Sequence, residues 1–114
     1  RQVISRQTSE TLREILEGVV SEGTGRNAYV KGYRVAGKTG TSETTEKGVY
    51  TASFMAFAPA DNPQYVVVVT AGIPSSIYSS GAIATTFHDV MAQTLTQFRV
   101  TPSTEPAPDI PLTW

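Results

Sequence analysis

The pattern of apolar and polar positions predicts a helix near the beginning of the chain. Five apolar residues recur at the spacing of a helix that packs against a core: Leu12, Ile15, Leu16, Val19 and Val20. Thr8 or Ser9 is expected to cap its first turn, where the negative charge of Glu10 is favourable. Gly23 and Gly25 are expected to supply the left-handed residue that ends the helix.

After this helix the period changes to that of β-strands. One strand is expected to begin near Tyr33 and Val35, a second runs from Tyr50 to Ala58, and a third runs from Tyr65 to Ala71. The second and third strands carry apolar residues on both alternating faces, which is typical of strands that are covered on both sides. Because the connections are short, neighbouring strands are expected to pair antiparallel.

A final helix and a proline-rich tail follow the strands. Apolar residues at helical spacing run from Ile83 to Phe98, and Ser79 or Ser80 is expected to cap the start of this helix. Four prolines lie between residues 102 and 111. They predict a tail that is extended and largely unpacked as far as Trp114.

The predicted fold class is α/β, of the α+β type. An antiparallel sheet is flanked by an N-terminal and a C-terminal helix, with residues 1–100 in one domain and residues 101–114 in the extended tail. Two helices are too few to cover both faces of such a sheet. We therefore expect something outside this chain to complete the sheet or to cover its second face.

Composition excludes several classes of function. The chain has nine basic and ten acidic residues and no basic cluster, so nucleic acid is not an expected partner. Cysteine is absent, which excludes a disulfide framework, a thiolate metal site and a cysteine nucleophile. The one histidine, His88, is expected to be structural, and neither a metal nor another cofactor is expected.

In the residues from Gly32 to Ser42, a cation and a hydroxyl group, Lys38 and Thr39, are placed between two glycines, and two more hydroxyl groups follow. Their first part, as far as Thr39, also matches the phosphate-binding loop pattern G-x-x-x-x-G-K-[ST]. Such a loop needs a helix that begins at the Lys-Thr pair and points its positive end at the phosphates. Here Gly40, a polar connection and then a strand follow, so the sequence argues strongly against a nucleotide site.

The alternative is a site along the edge of a strand. Strand periodicity sends Lys38 and Gly40 to one face and Thr39 and Thr41 to the other, so one ligand meets both sets only from the edge. Such an edge could hold a peptide by main-chain pairing, while the hydroxyls and the ammonium bind a carboxylate. From residue types alone, an ordinary strand with a solvated lysine explains the pattern about equally well.

The surroundings of Lys38-Thr39-Gly40 resemble a known family. The residues from Val35 to Thr41, the Glu-Gly-Thr-Gly at the end of the first helix and the strand from Phe54 to Pro59 are similar to the C-terminal part of class B penicillin-binding proteins. These are the monofunctional peptidoglycan D,D-transpeptidases. Lys-Thr-Gly alone is a weak signal, but the resemblance extends from about Thr8 to Phe98.

The resemblance implies an active-site serine that is acylated by a D-Ala-D-Ala stem peptide of peptidoglycan, or by a β-lactam antibiotic. An amine of a second peptidoglycan strand would then deacylate it. Catalytic roles would fall to Lys38, which assists proton movement and stabilises charge, and to Thr41, whose amide is an oxyanion-hole donor. Substrate binding would fall to Thr39, Gly40 and Thr41.

The resemblance also indicates what this chain lacks. Such a site combines Ser-x-x-Lys, Ser-x-Asn and Lys-Thr-Gly, and only the third motif occurs here. We therefore expect the chain to be inactive without the remainder of the same protein. That remainder would carry a membrane anchor, which implies a location at the extracytoplasmic face of the bacterial cell membrane and a place in a division or elongation complex.

Two alternative functions remain open at this point. A β-lactamase or a β-lactam sensor domain has the same fold and the same Lys-Thr-Gly strand, although the Glu-Gly-Thr-Gly sequence at the helix end is not typical of either. A non-catalytic domain could instead keep the sheet and use its edge only to hold a peptide.

Overall fold

The computed structural model describes residues 1–77 and 81–108. Three strands form one antiparallel sheet in the order β1-β2-β3. The elements follow the predicted order: α1 Arg6–Ser21, a 3-10 turn Arg26–Ala28, β1 Ala36–Glu43, β2 Val49–Ala58, β3 Tyr65–Pro74, a 3-10 turn Ser75–Ile77 and α2 Gly81–Gln97. The predicted α+β fold class, with an antiparallel sheet flanked by an N-terminal and a C-terminal helix, is confirmed.

The core lies on one face of the sheet. On that face β2 presents four residues that are all buried: Ala52, Phe54, Ala56 and Ala58. The ring of Phe54 meets that of Phe87 of α2 edge to face, with the two centroids 5.1 Å apart. Val20 of α1 belongs to the same buried cluster. Both helices therefore contribute to the core on this single face.

The opposite face of the sheet is exposed. Met55 pairs with Val68 across β2 and β3, and these side chains are 56% and 60% exposed. Val66 on the same face is 65% exposed. The described part of the chain does not cover this face, because both helices pack on the other one. The expectation that something outside this chain covers this face stays a prediction.

The first helix begins one turn earlier than predicted and packs through fewer residues. Ser5 caps it instead of Thr8 or Ser9, because the backbone N–H of Thr8 donates to Ser5 Oγ at 3.0 Å. Leu12 and Ile15 of the predicted apolar stripe are exposed. The buried residues are confined to the last part of the helix: Glu17, Gly18 and Val20. Only that part of the helix lies on the core.

The glycines after α1 serve close packing and not a left-handed turn. Positive φ occurs at Gly32 and Gly48, and neither Gly23 nor Gly25 shows it, so this prediction is wrong. A Cβ on Gly23 would lie 2.9 Å from the carbonyl oxygen of Val19. A Cβ on Gly25 would lie 3.1 Å from the same oxygen. The turn is thus pressed against the last turns of the helix, where a side chain has no room.

The described part of the tail has no buried residue, but it is docked through hydrogen bonds of Ser103. The backbone N–H of Ser103 donates to the carbonyl of Gly32 at 3.0 Å. Its hydroxyl accepts from the backbone N–H of Arg34 and donates to Asp61. Phe98 follows the end of α2, where its ring stacks on Tyr65. The contacts of Ser103 tie the tail to the segment that leads into β1 and to the turn between β2 and β3.

Some predictions fall on residues that the structure does not describe. The caps at Ser79 and Ser80 and the end of the tail at Trp114 lie outside the described residues. Within residues 1–77 and 81–108, no helix combines the length and the apolar character that crossing a membrane requires.

Candidate active-site strand

The Lys-Thr-Gly residues lie on an edge strand, as predicted. β1 pairs with β2 alone among the described strands, so its other edge carries no partner strand. Thr39 pairs with Phe54, on the face that bears the core, whereas Lys38 pairs with Met55, on the exposed face. The two side chains therefore start on opposite faces of the sheet, and the edge is where they can meet.

The ammonium of Lys38 crosses this edge. Its Nζ lies 3.0 Å from the carbonyl oxygen of Thr39 and 3.4 Å from Thr39 Oγ1. Lys38 is exposed, and no carboxylate of the described residues forms an ion pair with it. An ammonium has three N–H donors, so at least one is left for a ligand. The edge thus carries a positive charge that the surrounding described side chains do not neutralise.

A third group joins Lys38 and Thr39 at this edge. The hydroxyl oxygen of Thr24 lies 3.2 Å from Thr39 Oγ1. Thr24 is exposed and belongs to the turn that follows α1. We assigned no role to Thr24 from the sequence. Its position between two glycines at a helix end was the available signal, although that position alone does not reveal which strand the turn contacts.

The glycines of this strand face atoms of β2, the neighbouring strand. A Cβ on Gly37 would lie 2.3 Å from Ala56 Cβ, closer than any real side chain permits. A Cβ on Gly40 would lie 2.7 Å from Ser53 Oγ. Gly37 therefore needs glycine for the close approach of the neighbouring strand, whereas the close contact at Gly40 is with a side-chain hydroxyl that can rotate.

A buried ion pair anchors α1 to the segment that enters β1. Arg34 Nε lies 2.7 Å from Glu17 Oε2, and its Nη2 lies 2.8 Å from Oε1. The Glu17 side chain is fully buried, and that of Arg34 is 16% exposed. The hydrogen bonds to Glu17 raise the pKa of the Arg34 guanidinium despite its partial burial, so it stays charged. This pair was not predicted from the sequence, where its one signal was an acidic residue on the buried side of a helix.

His88, which was expected to be structural, lies outside the candidate site. His88 Nδ1 is 2.5 Å from the carbonyl oxygen of Tyr29, which links α2 to the turn before β1. This contact agrees with a structural role.

Among the described residues, no group of three or more His, Cys, Asp or Glu side chains could hold a metal ion. A cavity of about 290 Å³ lies beside Arg34 and the tail, and none of the residues from Lys38 to Thr41 lines it. The candidate site is therefore an open edge and not this cavity.

The chain matches the family model described as the penicillin binding protein transpeptidase domain over residues 1–92. It is 45% identical over 109 residues to stage V sporulation protein D of Bacillus subtilis (strain 168), covering 90% of this chain and 17% of that protein. It is 39% identical over 88 residues to a peptidoglycan D,D-transpeptidase FtsI homolog of Chlorokybus atmophyticus, covering 72% of this chain and 13% of that protein. The chain thus spans less than a fifth of the length of these two relatives.

A solved structure supports the same assignment. The apo transpeptidase (TP) domain of Burkholderia pseudomallei penicillin-binding protein 3 superposes with a TM-score of 0.79 at 36% sequence identity. The match covers 93% of this chain and 34% of that one. Because a family model matches most of the chain and a solved transpeptidase domain shares its fold, this chain belongs to the penicillin-binding protein transpeptidase domain family.

Proposed function

We propose that this chain is one part of a peptidoglycan D,D-transpeptidase, which acts by a serine acyl-enzyme mechanism. The chain supplies the Lys38–Thr41 strand of the active site, and the remainder of the same protein supplies the nucleophile. The observation that carries the proposal is the free edge of β1, where an un-neutralised ammonium meets threonine hydroxyls in a chain of this family.

In the proposed reaction the serine oxygen attacks the carbonyl between the two terminal D-Ala residues of a stem peptide. The bond to the last D-Ala breaks, its amine takes up the proton lost by the serine, and an acyl-enzyme ester remains. An amine of a second peptidoglycan strand then attacks this ester, forming the cross-link and returning a proton to the serine. A β-lactam antibiotic acylates the same serine, but its leaving group stays attached.

Lys38 contributes positive charge to this reaction. Because no described carboxylate pairs with it, its charge is available to the substrate carboxylate and to the oxyanion that develops on the attacked carbonyl. Because Lys38 Nζ contacts Thr39 Oγ1, the ammonium and the hydroxyl group lie beside each other at the edge. Thr39 and Thr41 bind the carboxylate of the peptide or of the β-lactam through their hydroxyls.

The main chain of β1 contributes the second part of the proposed site. The carbonyl of Thr39 accepts a hydrogen bond from the ammonium that crosses the free edge, which argues that this carbonyl points away from β2. Thr41 lies two positions after Thr39 in the strand. Because the backbone groups of alternate residues point to the same side of a strand, the N–H of Thr41 points to the same edge. There it serves as an oxyanion-hole donor, a role whose loss typically lowers the rate by about 10²–10³-fold. Gly40, between them, brings no side chain against an extended peptide.

We infer that the remainder of the protein covers the surfaces that this chain leaves exposed. The exposed sheet face includes Met55, Val66 and Val68, and Leu12 and Ile15 of α1 are also exposed. The three residues of the sheet face form one apolar patch, and a patch of this kind marks a contact with another protein segment. The same remainder carries the serine motifs and a membrane anchor, and it places the enzyme at the extracytoplasmic face of the membrane, in a division or elongation complex.

Covalent labelling tests this proposal. The full-length protein is incubated with a fluorescent penicillin, and the adduct is mapped by mass spectrometry of its peptides. We expect one stable ester on a serine outside residues 1–114, which heat denaturation before labelling abolishes. Absence of an adduct on the folded full-length protein would overturn the proposal. Rapid release of the hydrolysed penicillin would instead indicate a β-lactamase, and binding of stem peptide without any adduct would indicate a non-catalytic domain.

A further inference from the structure

Two polar groups converge on one hydroxyl oxygen at the free edge of β1. Thr39 Oγ1 lies 3.4 Å from Lys38 Nζ and 3.2 Å from Thr24 Oγ1. Lys38 and Thr39 belong to the proposed site, whereas Thr24 comes from the turn after α1. The contact between the two threonines therefore connects a helix end to the site at a single atom.

Backbone hydrogen bonds and close packing hold the turn that carries Thr24. The N–H of Gly23 donates to the carbonyl of Gly18 at 3.1 Å, and the N–H of Gly25 donates to that of Val19 at 2.9 Å. A Cβ on Gly25 would also lie 3.3 Å from the ring of Phe54, in the core. The backbone on both sides of Thr24 is thus fixed, while its side chain stays exposed.

The hydrogen-bonding capacity of Thr39 gives this contact a direction. A hydroxyl has one proton and two lone pairs, whereas an ammonium can only donate. Lys38 therefore donates to Thr39 Oγ1. If Thr24 also donates, both lone pairs of Thr39 are occupied, and its own proton is left as the donor to an anion at the edge. If Thr39 donates to Thr24 instead, that proton is lost to the substrate.

We propose that Thr24 is a positioning residue that donates its hydroxyl proton to Thr39 and so presents the Thr39 proton to the carboxylate of the substrate. This inference rests on the proposed function and adds a residue to it. Thr24 acts through Thr39, so its contribution depends on a ligand that carries a carboxylate. A purely structural contact between the turn and β1 would affect all ligands equally.

The test compares acylation of the full-length protein by a penicillin and by the methyl ester of the same penicillin. Thr24→Val removes the hydroxyl and keeps the shape, and Thr24→Ser keeps the hydroxyl. We expect Thr24→Val to lower the second-order acylation rate by about tenfold for the acid and by much less for the ester, as for loss of a hydrogen bond to a charged group. Thr24→Ser should restore most of the rate for the acid.

A double variant tests whether Thr24 acts through Thr39. In the Thr39→Val background, adding Thr24→Val should cause little further loss, because the hydroxyl that it orients is gone. Equal losses for acid and ester, or an unchanged rate in Thr24→Val, would overturn the inference while wild-type acylation leaves the proposed function standing. A wild-type protein that is not acylated at all would overturn both.

Discussion

Arg34 and Lys38 are two cations four positions apart, and the structure gives them opposite environments. Arg34 is largely buried and makes two hydrogen bonds to the carboxylate of Glu17. Lys38 is exposed, and within the described part of the chain it donates to neutral oxygens of Thr39 and to no carboxylate. The first charge is neutralised inside the protein, and the second is available at the surface. A cation is available to bind an anionic ligand when no neighbouring carboxylate neutralises its charge.

This difference follows from what each environment costs. A carboxylate as buried as that of Glu17 loses its hydration, and the two hydrogen bonds from Arg34 compensate for that loss. Lys38 keeps its hydration because it stays at the edge. We therefore expect changes at Arg34 and Glu17 to affect folding and changes at Lys38 to affect catalysis. Substitutions at a buried pair, at the exposed edge and at an exposed pair test this division.

Glu17→Ala should cause the largest loss of stability. The change leaves the Arg34 guanidinium largely buried without its partner, and breaking a buried pair in this way typically costs about 3–5 kcal/mol. Chemical unfolding of the full-length protein measures the loss. The matched control replaces both partners, Glu17→Met with Arg34→Met, and should recover most of the stability because no unpaired charge is left. A single variant as stable as the wild type would show that the pair is not an anchor.

Lys38→Ala should lower the acylation rate by about 10²–10³-fold, as expected for removing one charge-stabilising donor from such a site. The midpoint of thermal unfolding should hardly change, because an exposed lysine contributes little packing. The rate is measured with labelled penicillin on the full-length protein. Lys31→Ala removes another exposed lysine, outside the proposed site, and should leave the rate unchanged. Normal acylation together with a large drop in the unfolding midpoint would contradict the role given to Lys38.

Arg6→Gln should have the smallest effect. Arg6 Nε lies 2.7 Å from Glu10 Oε1, the same distance as in the buried pair, but the Arg6 side chain is 90% exposed. Water solvates and screens this pair, so we expect no measurable change in unfolding. Because the N–O distance is the same in both pairs, comparing the unfolding of Arg6→Gln with that of Glu17→Ala isolates the effect of burial. Equal losses from Arg6→Gln and Glu17→Ala would mean that burial does not explain the anchoring.

The sequence predicted the elements better than their ends. Helical and strand periods in the chain identified α1, the strands and α2, because such periods reflect which side of each element meets the core. The cap at Ser5 was missed, since several nearby residues can cap a helix and only the backbone geometry distinguishes them. The docking of Ser103 beside Gly32 was missed because prolines predict local stiffness and not tertiary contacts.

The candidate site, like the fold, was predictable from the sequence only in part. The alternation of Lys38 and Thr39 across a strand edge was predictable, because it depends only on strand geometry and on adjacent positions. The contact between Thr24 and Thr39 was not, because it depends on how the end of a helix folds over a strand 15 positions later. The Lys38–Thr41 roles in catalysis and binding stay predictions for the labelling and mutation experiments.

The sequence by itself determined the order of the elements, the antiparallel sheet and the strand that holds Lys38. Each of these follows from periodicity and short connections, which are local properties of the chain. Only the tertiary structure decided that Glu17 neutralises Arg34, that Thr24 meets Thr39 and that one face of the sheet stays exposed. These outcomes depend on contacts between residues far apart in the chain, and local patterns do not specify which distant partner a side chain meets.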